Sequence, residues 1–519
     1  MRLRKWRSNR KAQITWGKPA WEFMMMKTAL KNAANTAGEK VKLKRRRFLK
    51  TGAAIGAAAS LCTRSISARG RVERPTVLGI GAGGRGRADL EQVSKAGMDV
   101  VALCDVFDIR KFEKVTNKRL KGLVSVREAY SGAVFGTDYR QMLVELGDKI
   151  DAVVISTPDH HHFHAAMQAM LSGKHVYCQK PLTHGIWEAR MLAETAKKTG
   201  VITQMGNQAH ANDHMRRCVE LIRAGIVGKV KEIHAWTNRP IWPQGFDAPP
   251  PPEAVPPGVN WKQWIGPAPA TPYSSKIAPF AWRGWWNYGT GALGDMACHI
   301  MDVGFWSMSE ANKPASPRQV IAQQRGATEY SPPINSIITW DFPACPFSAG
   351  DGFKFFWYDG FVKGQFDRDS WTLDRGGKEY NHPSSEVLDG MDFEKFGSVI
   401  IGEHGKLFFN RSRPDWQLRT GSRIENFQWP DETLPRAGGE NYGEWHDAIA
   451  GKIPQCQSNF SLAGPMTEAI LLGVLAQRHS DQLLQWNSEK LQITGRPDLN
   501  AQIRRDYASG WDAVEAFGL

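Results

Sequence analysis

Residues 76–86 leave little freedom in what this chain can fold into. Thr76-Val77-Leu78-Gly79-Ile80 is a short apolar run, Gly81-Ala82-Gly83-Gly84-Arg85-Gly86 follows at once, and a helix-forming stretch runs from Arg87 to Ala96. A strand that feeds a helix through G-x-G-x-x-G uses glycine to turn tightly and to let backbone approach a pyrophosphate at the helix N-terminus. Gly79-x-Gly81-x-x-Gly84 satisfies the same pattern, so the register is open by one step. The next apolar run, Val100 to Cys104, ends at Asp105, 19 residues past Gly86. An acid there accepts from the adenosine ribose hydroxyls and repels a 2′-phosphate, so NAD is expected in preference to NADP. Arg110 nearby is the opposing signal. Gly81, Gly83, Gly84, Arg85, Gly86 and Asp105 are the first cofactor-binding candidates.

The run continues as alternating strands and helices should. Thr137 or Asp138 is a helix N-cap. Asp151 to Ser156 is a continuous apolar run, as a central parallel strand requires. It leads into Thr157-Pro158-Asp159-His160-His161-His162-Phe163-His164. Four histidines in five positions invite a metal reading, but no Cys or carboxylate partner recurs at ligand spacing apart from Asp159. We expect a strand-end loop over the cofactor, no metal, and a helix from Ala165 to Leu171. Val176-Tyr177-Cys178-Gln179-Lys180-Pro181 comes next, with one lysine between an apolar run and a proline.

Charge separates the chain into two parts. Residues 1–68 carry 17 Lys/Arg against 2 Asp/Glu, which accounts for the entire net charge of +15. The remainder is neutral and offers no basic footprint for nucleic acid. Lys44-Arg45-Arg46-Arg47-Phe48-Leu49-Lys50 followed by a short apolar run reads as a signal peptide, too short to span a bilayer. Arg45-Arg46-x-Phe48-Leu49-Lys50 resembles a twin-arginine export signal, with cleavage near Ala68 or Ala57-Ala58-Ala59. A periplasmic protein without stable membrane insertion follows. The seven cysteines contain no C-x-x-C pair and read as mostly buried thiols, though a disulfide is open in an oxidising compartment.

The second half is rich in tryptophan. Trp242, Trp261, Trp264, Trp282, Trp285, Trp286 and Tyr288 suit either sugar-ring platforms or an aromatic core. Asn207, Gln208 and His210 follow the last expected strand of the first domain, Gly200 to Gly206, where ligands bind in doubly wound sheets. In Gly291 to Asp302, Asp295 and His299 are four apart and share a helix face, which Asp302 joins. A carboxylate beside an imidazole is a proton-transfer pair, although such a spacing is also common in surface ion pairs. Residues 310–440 alternate short apolar runs with turns, as an antiparallel sheet does. Asn441 to Ala450 and Ala463 to Arg478 read as helices.

Gly81-x-Gly83-x-x-Gly86, Thr157-Pro158-Asp159-His160-x-His162, Gly173-Lys174-His175-Val176 and Gln179-Lys180-Pro181, in this order, resemble the Gfo/Idh/MocA oxidoreductase family. The resemblance covers nearly everything after residue 75. It implies an α/β fold: an N-terminal Rossmann domain, then a C-terminal α/β domain with an open, mainly antiparallel sheet that often forms an oligomer face. Domains are expected at 72–205 and 206–480, after a leader at 1–68 and before a tail at 481–519 that packs on the surface. Carried over by motif, Lys180, Asp295 and His299 are catalytic; Thr157, Pro158, His160, His162, Gln179 and Lys180 hold the cofactor. Asn207, Gln208, His210, Trp285, Asp295 and His299 line the substrate. The family usually carries Glu where Gln179 stands.

The expected activity is hydride transfer from a hydroxyl-bearing carbon of a sugar, sugar derivative or polyol to NAD, in a homo-oligomer joined through the C-terminal sheet. His299 would take the hydroxyl proton, Asp295 would orient His299, and Lys180 would bond the same oxygen. Two alternatives are a glycosidase that uses tightly bound NAD in a transient oxidation–elimination cycle, favoured by export, and a non-catalytic sugar-binding protein.

Overall fold

The computed structural model describes residues 72–310, 313–391, 395–410, 416–420 and 428–519. The expected export signal and both expected cleavage sites lie outside the described residues.

A six-stranded, wholly parallel sheet forms first. In chain order it is built from β1 (Thr76–Ile80), α1 (Arg85–Lys95), β2 (Asp99–Cys104), α2 (Lys118–Ala129), β3 (Val134–Gly136), α3 (Tyr139–Glu145), β4 (Ala152–Ile155), α4 (Asp159–Leu171), β5 (His175–Gln179), α5 (Ile186–Thr199) and β6 (Thr203–Gly206). The strand order is β3-β2-β1-β4-β5-β6, with every pairing parallel. Order reverses between β1 and β4, and a ligand crevice opens there at the carboxyl ends of the strands. β4 is buried along its whole length, because helices cover both faces of such a sheet and leave no side for polar residues. Asp138 caps α3 by accepting from Arg140 N, so it and not Thr137 is the N-cap.

One expectation about this half is corrected. The His-rich segment is no loop: α4 begins at Asp159 and takes in all four histidines, each buried. Pro158 precedes the first turn, where its fixed φ and missing N–H cost nothing, and Asp159 complements the helix N-terminus.

α6 (Asp213–Arg223) crosses to the second sheet. The following elements are β7 (Val230–Thr237), α7 (Trp261–Ile265), α8 (Gly291–Ile300), α9 (Asp302–Met308), β8 (Gln319–Arg325), β9 (Asn335–Pro343), β10 (Gly352–Gly360), β11 (Gln365–Asp367), β12 (Thr372–Asp374), β13 (Phe396–Gly402), β14 (Gly405–Phe409) and β15 (Trp416–Thr420). α10 (Asn441–Ile449), α11 (Phe460–Arg478), β16 (Leu484–Asn487), β17 (Gln492–Ile493), α12 (Pro497–Ile503) and α13 (Ala513–Phe517) complete the chain. The nine-stranded sheet runs β15-β14-β13-β7-β10-β9-β8-β16-β17. Only β7 and β10 pair in parallel; the other pairings are antiparallel.

α11 is long and apolar enough to cross a membrane, yet it is a core helix. It packs between α5 and the second sheet. Trp340 donates its indole N–H to Ala469 O at 2.9 Å. A Cβ on Gly473 would come 2.4 Å from Trp340 Cζ2, so glycine there sets how near the helix lies to the sheet.

The tail after Asp481 does more than cover the surface. β16 and β17 extend the second sheet. Beyond them, Arg505 and Tyr507 donate to the buried Glu188 at 2.7 and 2.9 Å, and Trp511 is buried against His164. The polar composition of this segment hid three aromatic or charged anchors that each need a specific partner on the Rossmann half. All six described cysteines are free thiols.

Candidate active site

The glycine-rich turn is built by contact. β1 ends at Ile80, and Gly81 takes φ 81° and donates to Cys104 O at 2.8 Å. A Cβ on Gly81 would lie 2.7 Å from Ser156 O, and one on Gly86 would lie 1.8 Å from Gly81 O. The register is therefore Gly81-x-Gly83-x-x-Gly86. Gly84, at φ 50°, has nothing within 4 Å of a Cβ position. Gly81, Gly83 and Gly84 open onto a cavity of about 720 Å³ lined also by Arg85, Asp105, Thr157, Pro158, Gln179, Lys180, Gln208, Asp295 and His299.

Asp105 supports the turn from behind. One carboxylate oxygen accepts from Ala82 N at 2.9 Å and Gly83 N at 3.2 Å, and the other accepts from Phe107 N at 3.1 Å. Burial pushes its carboxyl up, and these backbone donors oppose that only in part. Arg110, the counter-signal for a 2′-phosphate, is bound by both oxygens of Asp108 at 2.8 and 2.9 Å.

Lys180 stands at the carboxyl end of β5 and donates to Asp295 Oδ1 at 2.6 Å and Asp295 O at 2.9 Å. Both side chains are 14 % exposed. Arg283 lies on the other side of the same carboxylate, its Nε 3.3 Å from Asp295 Oδ1. Its Nη1 donates to both oxygens of Asp159, at 2.8 and 3.0 Å, and Thr290 Oγ1 donates to Asp159 at 2.9 Å. Burial pushes the Asp295 carboxyl up, but Lys180 and then Arg283 outweigh it and hold it at about 2. The Lys180 ammonium is moved below its ordinary range by burial; Asp295 opposes that shift and Arg283 adds to it.

His299 shares the wall with Lys180 and Asp295 but takes its orientation from another residue. Its Nδ1 faces Asn207 Oδ1 at 2.8 Å. An imidazole that donates from Nδ1 is left with Nε2 as its acceptor. Asn207 itself is fully buried and does not line the cavity; it holds the histidine instead of touching a ligand. Asp302 does not share this face. α8 ends at Ile300, and Asp302 begins α9, where both its oxygens meet His210 Nδ1 at 2.9 Å. His210 is stacked on Trp306 at 3.9 Å and does not line the cavity.

Other expected contacts are also placed elsewhere. His160 is held between Trp264 O (2.9 Å) and Tyr288 O (3.3 Å), and His162 between Pro181 O (2.7 Å) and Thr157 O (3.0 Å). Both imidazoles pin helix α4 to neighbouring backbone, and of the four histidines only His161 lines the cavity. Trp285 packs on Phe246 at 4.2 Å and turns away from the cavity. Trp242, Trp264 and Trp282 are the tryptophans in its wall.

Gln179 has a clear partner. Its amide donates to both oxygens of Asp89, at 3.1 and 3.0 Å. Asp89 is wholly buried one turn into α1, and also accepts from Arg85 Nε (2.8 Å), Ser156 Oγ (2.7 Å) and Tyr442 OH (2.6 Å). A glutamate at 179 would set two carboxylates against each other in a buried site, whereas the amide donates. Sequence reasoning missed Asp89, Tyr442, Asp159, Arg239 and Arg283. A single Arg between tryptophans, or an Asp inside a helix, carries no spacing signal.

Comparison with known proteins follows the same division of the chain. Residues 76–207 match the model described as "Oxidoreductase family, NAD-binding Rossmann fold", and residues 223–328 match "Oxidoreductase family, C-terminal alpha/beta domain". Both stretches belong to the Gfo/Idh/MocA oxidoreductase family. Among curated proteins, Glycosyl hydrolase family 109 protein 1 of Shewanella sp. (strain MR-4) is 29% identical over 154 residues, 29% of this chain and 32% of that protein. An alpha-N-acetylgalactosaminidase of Shewanella oneidensis is 28% identical over the same shares. The chain thus spans about a third of the length of the curated relatives it matches. An inositol dehydrogenase homolog of Azotobacter vinelandii, solved with NADH and myo-inositol, has the same fold, with a TM-score of 0.51 and 13% identity over 80% of this chain and 99% of that one. The likeness in fold therefore extends beyond the two matched stretches.

Proposed function

We propose that the protein is an NAD-dependent oxidoreductase that removes a hydride from a hydroxyl-bearing carbon of a carbohydrate. The observation that carries this reading is the Lys180–Asp295 pair and His299 on the wall of the same cavity onto which the glycine-rich turn opens. The turn fits a dinucleotide: a Cβ at 81 or 86 would strike the backbone of Ser156 or Gly81 and break its tight shape, and it stands at the start of an eleven-residue helix. Gly83, Gly84 and Arg85 would hold the phosphates, Thr157, Pro158 and Gln179 would flank the remainder, and Asp105 would disfavour a 2′-phosphate. Bound there, the nicotinamide supplies the hydride acceptor.

The chain's own residues do the rest. Lys180 donates to the reacting oxygen and stabilises negative charge as the hydroxyl loses its proton. Asp295 fixes the ammonium in position. His299 accepts the proton at Nε2, and Asn207 fixes its tautomer. Trp242 and Trp282 present apolar faces to a sugar ring. The half-exposed part of the nine-stranded sheet, around β9 and β10, is the homo-oligomer surface in this reading.

A second reading has direct support in the glycosyl hydrolase names of the curated relatives. In it the same residues serve a closed redox cycle that cleaves a glycoside and returns the cofactor unchanged. Denaturing the purified protein and assaying the supernatant for nicotinamide separates the two. Net NADH formed with free sugars is the expected result. Near-stoichiometric bound cofactor with glycoside cleavage and no net NADH replaces the first reading by the second, and a protein with no cofactor and no affinity for one removes both.

A further inference from the structure

The cavity holds one cation with no carboxylate partner among the described residues. Four cations line it: Arg85, Lys180, Arg239 and Arg283. Arg85 is paired with Asp89 at 2.8 Å. Lys180 is paired with Asp295, and Arg283 is paired with Asp159 and also faces Asp295. Arg239 has no carboxylate at ion-pair distance among the described residues, and it donates only to Asn238 Oδ1, at a long 3.4 Å. The lining acid Asp105 is engaged by three backbone N–H groups.

The place of Arg239 in the cavity matters as much as its charge. It is near enough to Asp295 for its charge to help hold that carboxyl low. Ile241 and Trp242, just beyond it in the chain, also line the cavity, and Trp242 lies 5.8 Å from the Arg283 guanidinium. Arg239 is therefore at the lysine side of the cavity, where a sugar would react, and not beside Asp105, where the adenosine would lie. An occupant that displaces water from this wall leaves the guanidinium buried and without a counter-ion unless it brings one.

We infer that the substrate is an acidic sugar whose carboxylate is received by Arg239. A guanidinium matches a planar carboxylate through two parallel N–H···O bonds, and the ligand then brings the counter-ion that the wall does not supply to Arg239. Arg239 is then a specificity-determining residue, separate from Lys180 and His299, which act on the reacting hydroxyl. The inference rests on the oxidoreductase reading above and names the substrate class for it.

The test uses the full-length protein loaded with its cofactor and isothermal titration with glucose and glucuronate, galactose and galacturonate, mannose and mannuronate, and glucose 6-phosphate. The tightest ligand is expected to be a uronate, at least ten-fold tighter than its neutral counterpart. Arg239→Gln should bring that ratio to within about two-fold, Arg239→Lys should keep part of it, and both should retain wild-type cofactor content and melting temperature. A neutral sugar or the phosphate ester as the tightest ligand overturns the inference. So does an unchanged ratio in Arg239→Gln, or no binding of any probe by protein that holds its cofactor. A preparation that neither holds nor takes up nicotinamide instead overturns the oxidoreductase reading, and this inference with it.

Discussion

Lys180 is paired tightly enough with Asp295, at 2.6 Å, that its position is fixed before any substrate arrives. That is the arrangement electrostatic catalysis needs, because a donor that is already oriented costs no reorganisation during reaction. Lys180→Ala should lower turnover by about 10²–10⁴-fold while the cofactor stays bound, since the glycine-rich turn is untouched. Wild-type rates in that variant would remove Lys180 from the mechanism. Asn207→Ala releases His299 Nδ1 and should lower kcat by roughly 10²-fold with a displaced pH profile; an unchanged profile would leave Asn207 only a packing role. Lys180, Asp295 and His299 were legible because each sits in a short motif or at helical spacing. Their partners were not. Asp295 answers to Lys180 and Arg283, which come from distant parts of the chain, and His299 answers to Asn207, 92 positions earlier.

At the scale of elements, α4 shows how burial changes what a polar run means. Four histidines in five positions suggest a wet loop or a metal, but here they are core side chains whose ring nitrogens find backbone carbonyls. Burial pushes the imidazoles of His161 and His164 down to about 3. Each is therefore neutral in the folded chain, while the unfolded chain protonates near 6.5. Between those values the unfolded state binds more protons, so stability is full above pH 6.5 and is lost as pH falls towards 3. At pH 5 the two together should cost roughly 4 kcal/mol. Calorimetry between pH 8 and 5 checks this: the melting temperature should fall steadily below pH 6.5, and a flat profile would show the rings to be protonated or exposed. The strands and glycine turn around α4 were readable because their apolar runs and glycines answer local demands. The helix start was not, because nothing local says that imidazoles will be covered by Trp264, Trp511 and Pro181.

Across the whole molecule, the second sheet has one face under α8 and α11 and one partly open face, where Leu388 packs with the buried Trp236, Val399 and Phe408. Phe355 and Trp357 of β10 are buried on the side of α8 and α11, while Phe356 and Tyr358 stand half-exposed on the other side, beside Thr339 and Ile337 of β9. If that open face joins copies of the chain, light scattering should give a multiple of the chain mass at micromolar concentration, and Ile337→Asp with Phe356→Asp should return it to one. A monomeric wild-type protein would end the proposal.

Residue order alone was enough to read the Rossmann half, its glycine turn, the lysine at the end of β5 and the order of the two domains. These depend on short-range physics: strand and helix periods, turns that only glycine accommodates, and strand ends that must meet a ligand. Which charges are paired became visible in the folded chain alone. Asp89 meets Gln179, Asp159 meets Arg283, and Arg239 meets no acid among the described residues. Coulombic partners are set by distance in space, and in a fold that brings residue 180 against residue 295 that distance has no expression in the local sequence.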